Sequence, residues 1–391
     1  MAKSKSDRGT LKPQTRIATA ARQFAEHGAV NPAVYRASTI TFPDVQTLHT
    51  RNQDYTYGRK GTPTSRAFET AVAELEGGHD CKAAPSGLAA ITSALLAFLK
   101  SGDHLLMVDT VYHPARHLCE TLLQGLGIET TFYDPLIGAG ITALMKPNTR
   151  VVYCESPGSQ TMEVQDVPAI AAAAKAKGAV VMLDNTWSGG HYYKAFAAGC
   201  DISIQAATKY IVGHSDAMLG TVTCNAETWP QFKDAFETMG LFAGPDDMYL
   251  GLRGLRTIDV RMERHMKSAI SVADWLRARP EVETVLHPAL SNAPGHSIWK
   301  RDFTGASGLF SIVLKPVEET AVAALLDDLE LFSMGYSWGG FESLVVPFKP
   351  HRTATTWTPK GPCLRLHIGL EHPDDLVRDL EAGFKRLTAA T

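Results

Sequence analysis

Residues 201–220 read DISIQAATKYIVGHSDAMLG, and the interpretation of the whole chain starts from this stretch. Residues 202–206 alternate apolar and polar side chains, which is typical of a strand. A single lysine, Lys209, follows Thr208 in a setting of small residues. Desolvation in such a pocket lowers the pKa of an amine and prepares it for Schiff-base chemistry. The alternative is a surface lysine that follows a strand.

A second stretch, residues 180–187, has a matching pattern. Residues 180–183 are a continuous apolar run, as expected of a strand buried on both faces, and the run ends in Asp184. An acid there lies where open α/β sheets bind ligands. Pyridoxal phosphate needs a carboxylate against its pyridinium nitrogen and a lysine on its aldehyde carbon, and Asp184 and Lys209 satisfy both needs. Taken alone, Asp184 could equally be a helix N-cap.

Composition excludes several classes of protein. The 391 residues carry a net charge of −3, and no basic run is typical of a nucleic-acid-binding arm. The N-terminal MAKSKSDRGTLKPQ is polar, and no apolar run reaches the length of a membrane span. Six scattered cysteines without a CxxC pair indicate reduced thiols. We therefore expect a cytoplasmic enzyme without nucleic-acid or membrane partners.

The first two thirds of the chain alternate between strand and helix patterns. Strands are predicted at residues 80–84, 105–108, 129–133, 151–154, 180–183 and 202–206, and helices at 64–76, 89–100, 114–126 and 167–177. Such alternation predicts an α/β fold with a mostly parallel sheet that is covered on both faces.

The last third is predicted to form a smaller α/β domain. Residues 246–279 carry one long helical pattern, bent near Gly251 or Gly254, that would connect the two domains. After it we predict strands at 309–314, 331–334 and 364–368 and helices at 319–329 and 373–387.

Five further residues have a functional and an ordinary interpretation. Gly87 opens a helix after a strand, which suits a phosphate but is also a common helix start. Tyr112 follows a strand end and would either stack on a ring or pack at the core edge. Arg365 alternates with leucines in a strand, and it would either bind a carboxylate in a bidentate pair or form a structural ion pair. Tyr57 and Arg59 flank a glycine in the N-terminal region, which is also typical of a polar turn.

Two other site types are disfavoured. His113 and His117 are four residues apart on a predicted helix, but no third ligand has suitable spacing, so we interpret them as a solvated helix face and predict no metal. A dinucleotide-dependent dehydrogenase is disfavoured because no G-x-G-x-x-G follows a first strand.

Several longer motifs identify a family. They are Tyr57-Gly58-Arg59, DPLIGA (134–139), ESPGS and TMEV (155–164), LDNTW (183–187), SIQAATKYIVGHSDAM (203–218), RGLRT (253–257), HPAL (287–290), WKRDFTG (299–305), SWGGFESL (337–344) and LRLHIGLE (364–371). In these motifs, and over nearly its whole length, the chain resembles the Cys/Met-metabolism family of pyridoxal-phosphate enzymes.

The resemblance implies the aspartate-aminotransferase-like fold type I and a homotetramer built from two active dimers. It further implies three parts: residues 1–60 as an arm that contacts the neighbouring subunit, 61–255 as the large cofactor-binding domain, and 256–391 as the linking helix and C-terminal domain.

The family also implies roles for individual residues. Lys209 and Tyr112 would act in catalysis. The expected cofactor-binding residues are Lys209, Asp184, Tyr112, Gly87, Leu88, Thr208 and, from the neighbouring subunit, Tyr57 and Arg59. The expected substrate-binding residues are Arg365, Ser337, Trp338 and Tyr57.

Two positions indicate the branch of the family. Ser159 stands where the γ-synthase and γ-lyase branches usually have Asn, and Trp338 where they commonly have Leu. Both favour cleavage of L-cystathionine to homocysteine, pyruvate and ammonia by α,β-elimination. His113 departs from the acidic residue expected there, which leaves open a C–S lyase that prefers cysteine conjugates, cysteine sulfoxides or cystine. A γ-branch enzyme or a non-catalytic regulator that binds the cofactor is a weaker alternative.

Overall fold

The structure, a computed structural model, describes residues 10–391. Its central element is a seven-stranded sheet in the order β1-β7-β6-β5-β4-β2-β3. The strands are β1 (Asp80–Ala84), β2 (His104–Val108), β3 (Glu129–Tyr133), β4 (Thr149–Glu155), β5 (Val180–Asp184), β6 (Ile202–Gln205) and β7 (Gly220–Cys224). Only β7 runs antiparallel to its neighbours. The predicted mostly parallel sheet is confirmed, although β7 was not foreseen.

Helices cover both faces of this sheet. They are α3 (Pro63–Glu76), α4 (Gly87–Phe98), α5 (His113–Leu118), α6 (Val167–Lys175), α7 (Trp229–Thr238) and α8 (Pro245–Leu255). A π-helical segment, Cys119–Leu123, continues α5, so the two together cover most of the helix predicted at 114–126. Every residue of β2 and β7 is buried, as expected for strands enclosed by helices.

The region before α3 contains little regular structure. It has two short helices, α1 (Pro13–Ala18) and α2 (Val45–Thr50), and a 3-10 turn, Arg22–Phe24. Val30, Val45 and Leu48 expose apolar side chains here. Residues 1–9, which belong to the predicted arm and the polar N-terminal stretch, lie outside the described residues.

The predicted long helix is two helices. α8 ends at Leu255, and α9 (Ile258–Arg277) starts after a two-residue break. A Cβ on Gly254 would lie 2.2 Å from the carbonyl oxygen of Val212. This glycine therefore allows α8 to lie directly against the segment that follows Lys209.

A smaller domain follows α9. Its antiparallel sheet has the order β10-β11-β9-β8, with β8 (Val282–Leu286), β9 (Leu309–Leu314), β10 (Leu344–Phe348) and β11 (Cys363–His367). The helices are α10 (His296–Asp302), α11 (Glu319–Leu326) and α12 (Pro373–Ala389). Most of the predicted elements of this domain are present.

The predicted strand at 331–334 is wrong. The amides of Glu330, Leu331 and Phe332 donate to the Asp379 carboxylate at 2.9, 2.8 and 3.2 Å, so they are not available to a strand ladder. Only Ser333 makes an isolated bridge, to Leu344.

All six cysteines are free and buried. Burial raises the pKa of each thiol, to about 12 for Cys119 and Cys154 and to about 11 for Cys363. Within residues 10–391, no helix is long and apolar enough to cross a membrane. The same residues contain no group of three His, Cys, Asp or Glu side chains that could hold a metal ion.

Candidate active site

A cavity of about 690 Å³ lies at the carboxyl ends of β2, β4 and β5, beside the start of α4 and the loops of the smaller domain. Nine residues predicted to form the site line its wall: Gly87, Leu88, Tyr112, Asp184, Thr208, Lys209, Ser337, Trp338 and Arg365. The fold thus brings together residues that are up to 278 positions apart, from Gly87 to Arg365.

Lys209 follows β6 and points into this cavity. Its Nζ donates to Ser337 Oγ at 2.8 Å and lies 5.2 Å from the centre of the Trp338 ring. Burial, and next the positive charge of Arg365, lower the pKa of the amine to about 8, whereas Asp184 opposes this shift. At mildly alkaline pH a substantial fraction of the amine is therefore an unprotonated nucleophile and base.

The loop that carries Ser337 and Trp338 packs directly on the Lys209 backbone. Gly339 adopts a φ of +87°, and a Cβ there would lie 2.9 Å from the Lys209 carbonyl carbon. The Gly339 amide donates to His367 Nε2 at 3.1 Å. Because its Nε2 accepts, His367 is neutral, and its Nδ1 donates to the Glu342 carbonyl at 3.1 Å.

Asp184 ends β5 with a buried carboxylate in the cavity wall. Its Oδ1 accepts from the Thr186 amide at 3.0 Å and from the Thr186 hydroxyl at 2.5 Å. Burial raises the pKa of Asp184, and the two Thr186 donors oppose the rise by stabilising the charged form. The N-cap position of the following 3-10 turn, Thr186–Ser188, is Asn185, so Asp184 is not the helix N-cap that its sequence also allowed.

Glu155, which the sequence interpretation did not include in the site, lies beside Asp184. It ends β4 in direct register with Asp184 on β5, and both line the cavity. Its Oε2 accepts from the Tyr112 amide at 2.7 Å. Burial, and next the negative charge of Asp184, raise the pKa of Glu155 well above its usual range. The signal in the sequence was an acid at the end of an apolar strand, the same as for Asp184.

The start of α4 forms a cradle for an anion. Ser86 caps the helix by accepting from the Ala89 amide at 3.1 Å. The amides of Gly87 and Leu88, the first two of the helix, have no acceptor within the helix. A Cβ on Gly87 would lie 2.6 Å from the Ala206 Cβ, so only glycine lets α4 approach the loop before Lys209. Thr208, on the same side, donates its hydroxyl to the Leu219 carbonyl at 3.0 Å.

We call the nine lining residues named above the inner wall, and Arg365 and Tyr112 complete it. Arg365 projects from β11, and its guanidinium donates to the Tyr336 carbonyl at 2.8 Å. Its partners among the described residues are backbone carbonyls, not a carboxylate, which favours the clamp over the structural charge. Burial lowers the pKa of Arg365 to about 10. Tyr112, just before α5, is 44% exposed, so its ring faces the cavity instead of the core.

Tyr57 and Arg59 do not join the cavity of their own chain. Arg59 Nη1 donates to the Glu237 carbonyl at 2.7 Å, away from Lys209, and Tyr57 is 44% exposed. Their assignment to the site of a neighbouring subunit stays a prediction.

Comparison with known proteins identifies the family of the chain. A family model described as Cys/Met metabolism PLP-dependent enzyme matches residues 14–385. The chain belongs to this family. Its cofactor is therefore pyridoxal phosphate, as predicted.

Relatives within the Cys/Met metabolism family are similar over almost the full length. Cystathionine β-lyase MetC of Escherichia coli K12 is 48% identical over 373 residues, which cover 92% of this chain and 94% of that protein. Cystathionine β-lyase of Salmonella typhimurium is 47% identical over 373 residues, with the same coverage. The crystal structure of cystathionine γ-synthase from Xanthomonas oryzae pv. oryzae superposes with a TM-score of 0.91 at 31% identity, covering 97% of this chain and 100% of that one. The predicted fold class is confirmed.

The site fits the cofactor of the family. The free amides of α4 suit its phosphate, the buried Asp184 carboxylate suits a protonated ring nitrogen, and the Lys209 amine suits its aldehyde carbon. These three groups lie on one cavity wall.

Proposed function

We propose that this protein is a pyridoxal-phosphate-dependent carbon–sulfur β-lyase. It would convert L-cystathionine and water into L-homocysteine, pyruvate and ammonia. The observation that carries the proposal is the Lys209 amine, which has a lowered pKa and lies between Ser337 and Trp338 in the cavity. The relatives named cystathionine β-lyase, at 47% and 48% identity, support the same reaction.

Eight residues would hold the cofactor. The Gly87 and Leu88 amides and Thr208 would bind its phosphate, Asp184 its ring nitrogen, Lys209 its aldehyde carbon, and Tyr112 the face of its ring. Tyr57 and Arg59 would reach the phosphate from a neighbouring subunit. When bound, the cofactor supplies an electron sink for charge that develops on the substrate α-carbon.

Arg365 would fix the orientation of the substrate. The Arg365 guanidinium lies in the same cavity as Lys209, and its partners among the described residues are backbone carbonyls. It can therefore bind a carboxylate through two parallel hydrogen bonds. Ser337, the Trp338 backbone and the neighbour's Tyr57 would assist. Holding the α-carboxylate in this way places the α-hydrogen toward the Lys209 amine.

Lys209 would then move protons at two atoms. Its unprotonated amine removes the α-hydrogen, and the resulting ammonium donates a proton to the departing sulfur. Asp184 would supply a negative charge to the ring nitrogen of the cofactor, which favours its protonated form. The Thr186 donors stabilise this charge in the folded protein.

The position of Ser159 and Trp338 supports β- over γ-cleavage. Both residues line the cavity. At the position of Ser159 the γ branches usually have Asn, and at the position of Trp338 they commonly have Leu. Trp338 also contacts the ring of Tyr210, with centroids 5.4 Å apart. The Trp338 ring therefore occupies a defined position beside the Lys209 amine.

We also propose a cytoplasmic homotetramer built from two dimers. The support is the exposed apolar arm before α3 and the placement of Tyr57 and Arg59 outside the cavity of their own chain. A closed symmetric assembly would bring the arm of one subunit to the site of another.

The test is product analysis of the purified holoenzyme with L-cystathionine. Pyruvate and homocysteine in equal amounts are the expected products. Cysteine and 2-oxobutanoate would instead assign the protein to γ-cleavage. Lys209→Ala is the inactive control. Lys360→Ala, which changes an exposed lysine paired with Glu283, is the active control.

A further inference from the structure

Three exposed residues of the cavity wall carry basic side chains. His113 at the start of α5, and Lys349 and His351 in the loop after β10, line the cavity and are exposed. We call these three residues the outer wall. His113 replaces the acidic residue expected at that position, and the family resemblance implies no role for the run Lys349-Pro350-His351-Arg352.

The loop that carries two of these residues is fixed to the large domain. The Asp109 carboxylate accepts the amides of Thr353, Ala354 and Thr355 at 3.0, 3.0 and 2.9 Å. Asp109 directly follows β2 and precedes His113 in the chain, so the same anchor positions both parts of the outer wall. The basic groups therefore belong to a defined wall of the cavity.

Two buried ion pairs lie near the outer wall. Asp109 forms a buried salt bridge with Arg116 at 2.5 Å, and Arg352 forms one with Glu163 at 2.5 Å. The acids that line the cavity are Asp109, Glu155 and Asp184, and all three are buried.

Lys349 has one partner, and that pair is weak. Its Nζ lies 3.1 Å from a Glu319 carboxylate oxygen, with both side chains about nine-tenths exposed. Such a solvated pair contributes little and is easily exchanged for a ligand. The outer wall therefore presents one ammonium and two imidazoles to a molecule in the cavity, and the described lining residues include no exposed acid that would oppose them.

We propose that the outer wall binds an anionic group at the far end of the substrate, beyond the sulfur. The preferred substrates are then L-cysteine thioethers whose sulfur substituent ends in a carboxylate, and neutral or cationic substituents are disfavoured. This proposal rests on the proposed β-lyase function, since it assigns the inner wall to the cysteine part of the substrate.

Three matched substrates test the proposal: S-carboxyethyl-, S-carbamoylethyl- and S-aminoethyl-L-cysteine. Their substituents are of similar size and end in an anion, a neutral amide and a cation. Pyruvate release should give the highest kcat/KM for the carboxyethyl compound, about tenfold above the carbamoylethyl compound, because a charge-assisted contact replaces a neutral one. The aminoethyl compound should be the poorest. Added salt should reduce the differences.

Variants assign the preference to the outer wall. Lys349→Gln and the double variant His113→Asn, His351→Asn should each reduce the ratio of kcat/KM for carboxyethyl over carbamoylethyl substrate at least about threefold. Lys360→Gln should leave the ratio unchanged, because Lys360 is a lysine of the same domain that pairs with Glu283 and does not line the cavity. The ratio is measured within each variant, so a general loss of activity does not alter it.

The outcomes separate this proposal from the proposed function. Equal kcat/KM for the three substrates, or a ratio unchanged in the outer-wall variants, would overturn the anion preference and leave the β-lyase intact. No pyruvate from L-cystathionine and from all three compounds would overturn the β-lyase itself.

Discussion

Glu155 and Asp184 lie directly opposite each other at the ends of neighbouring parallel strands, with both carboxyl groups buried in one cavity wall. Two carboxylates in a dry site do not both ionise readily. Asp184 receives two donors from Thr186, and the pKa of Glu155 is raised well above its usual range by burial and by Asp184. Burial raises the pKa of both groups, and these contacts favour the negative charge on Asp184 and the proton on Glu155.

This pair predicts unequal effects of two isosteric changes. Asp184→Asn should reduce kcat for pyruvate formation about 10²–10³-fold, because it removes the charge at the ring nitrogen. Glu155→Gln should retain most of the activity, since an amide resembles a protonated carboxyl group. Activity and cofactor affinity, measured by titrating the apo-protein, check both variants. A loss in Glu155→Gln as large as in Asp184→Asn would mean that Glu155 works as an anion.

The lowered pKa of Lys209 predicts how cofactor capture depends on pH. Only the unprotonated amine attacks an aldehyde, so the rate at which apo-protein captures pyridoxal phosphate should rise with pH and be half-maximal near the pKa of about 8. Stopped-flow absorbance across pH 6 to pH 11, roughly spanning the pKa of Lys209 and the ordinary value for lysine, measures this rate.

The neighbours of Lys209 give that measurement its controls. Arg365→Met should move the midpoint upward, because the Arg365 charge lowers the pKa of Lys209. Asp184→Asn should move it downward, because the Asp184 charge raises that pKa. A midpoint near the ordinary value for lysine in the unaltered protein would contradict the burial of the amine.

The contact of Gly339 with Lys209 predicts a functional loss from one methyl group. Gly339→Ala should lower kcat/KM about a hundredfold, because the Cβ displaces the loop that carries Ser337 and Trp338 from the Lys209 backbone. The control is Gly102→Ala, with a nearly identical φ of +86° and nothing within 4 Å of its Cβ. Each change carries a backbone cost of about 1–2 kcal/mol in thermal or urea unfolding, but the Gly102 variant should keep its kcat/KM.

The proposed contribution of Arg59 to a neighbouring subunit predicts rescue between inactive variants. When Lys209→Ala and Arg59→Ala proteins are dissociated and reassembled together, about a quarter of the activity should return, since half the dimers are mixed and each has one intact site. Lys209→Ala with Arg365→Ala should give no rescue, because both residues line the same cavity of one chain. Equal rescue in the two mixtures, or none in either, would contradict the shared site.

Much of the fold and of the inner site could be predicted from local patterns. Asp184 ends an apolar strand and Lys209 follows a strand of alternating pattern, and the carboxyl ends of parallel strands meet at one edge of the sheet. Their proximity therefore follows from topology. The positions of Arg365, Ser337 and Trp338 relative to Lys209 depend on how the smaller domain packs, which no local pattern describes; the family resemblance supplied them.

The errors have physical causes. Residues 331–334 have the composition of a strand, but the distant Asp379 takes the amides that a strand would need. The actual strand β10 contains Pro347, which counts against a strand in sequence, yet β10 is an edge strand, where proline is tolerated. Asp109 and the outer wall were missed because their contacts join positions more than 200 residues apart.

The burial of all six cysteines has a consequence for the chemistry proposed here. An enzyme that releases a thiol works among thiols and disulfides, and an accessible thiolate of its own would exchange with them. Buried thiols with raised pKa values provide neither the thiolate nor the access that exchange requires. The fold thereby protects the six cysteines from thiol–disulfide exchange with the compounds that the protein would handle.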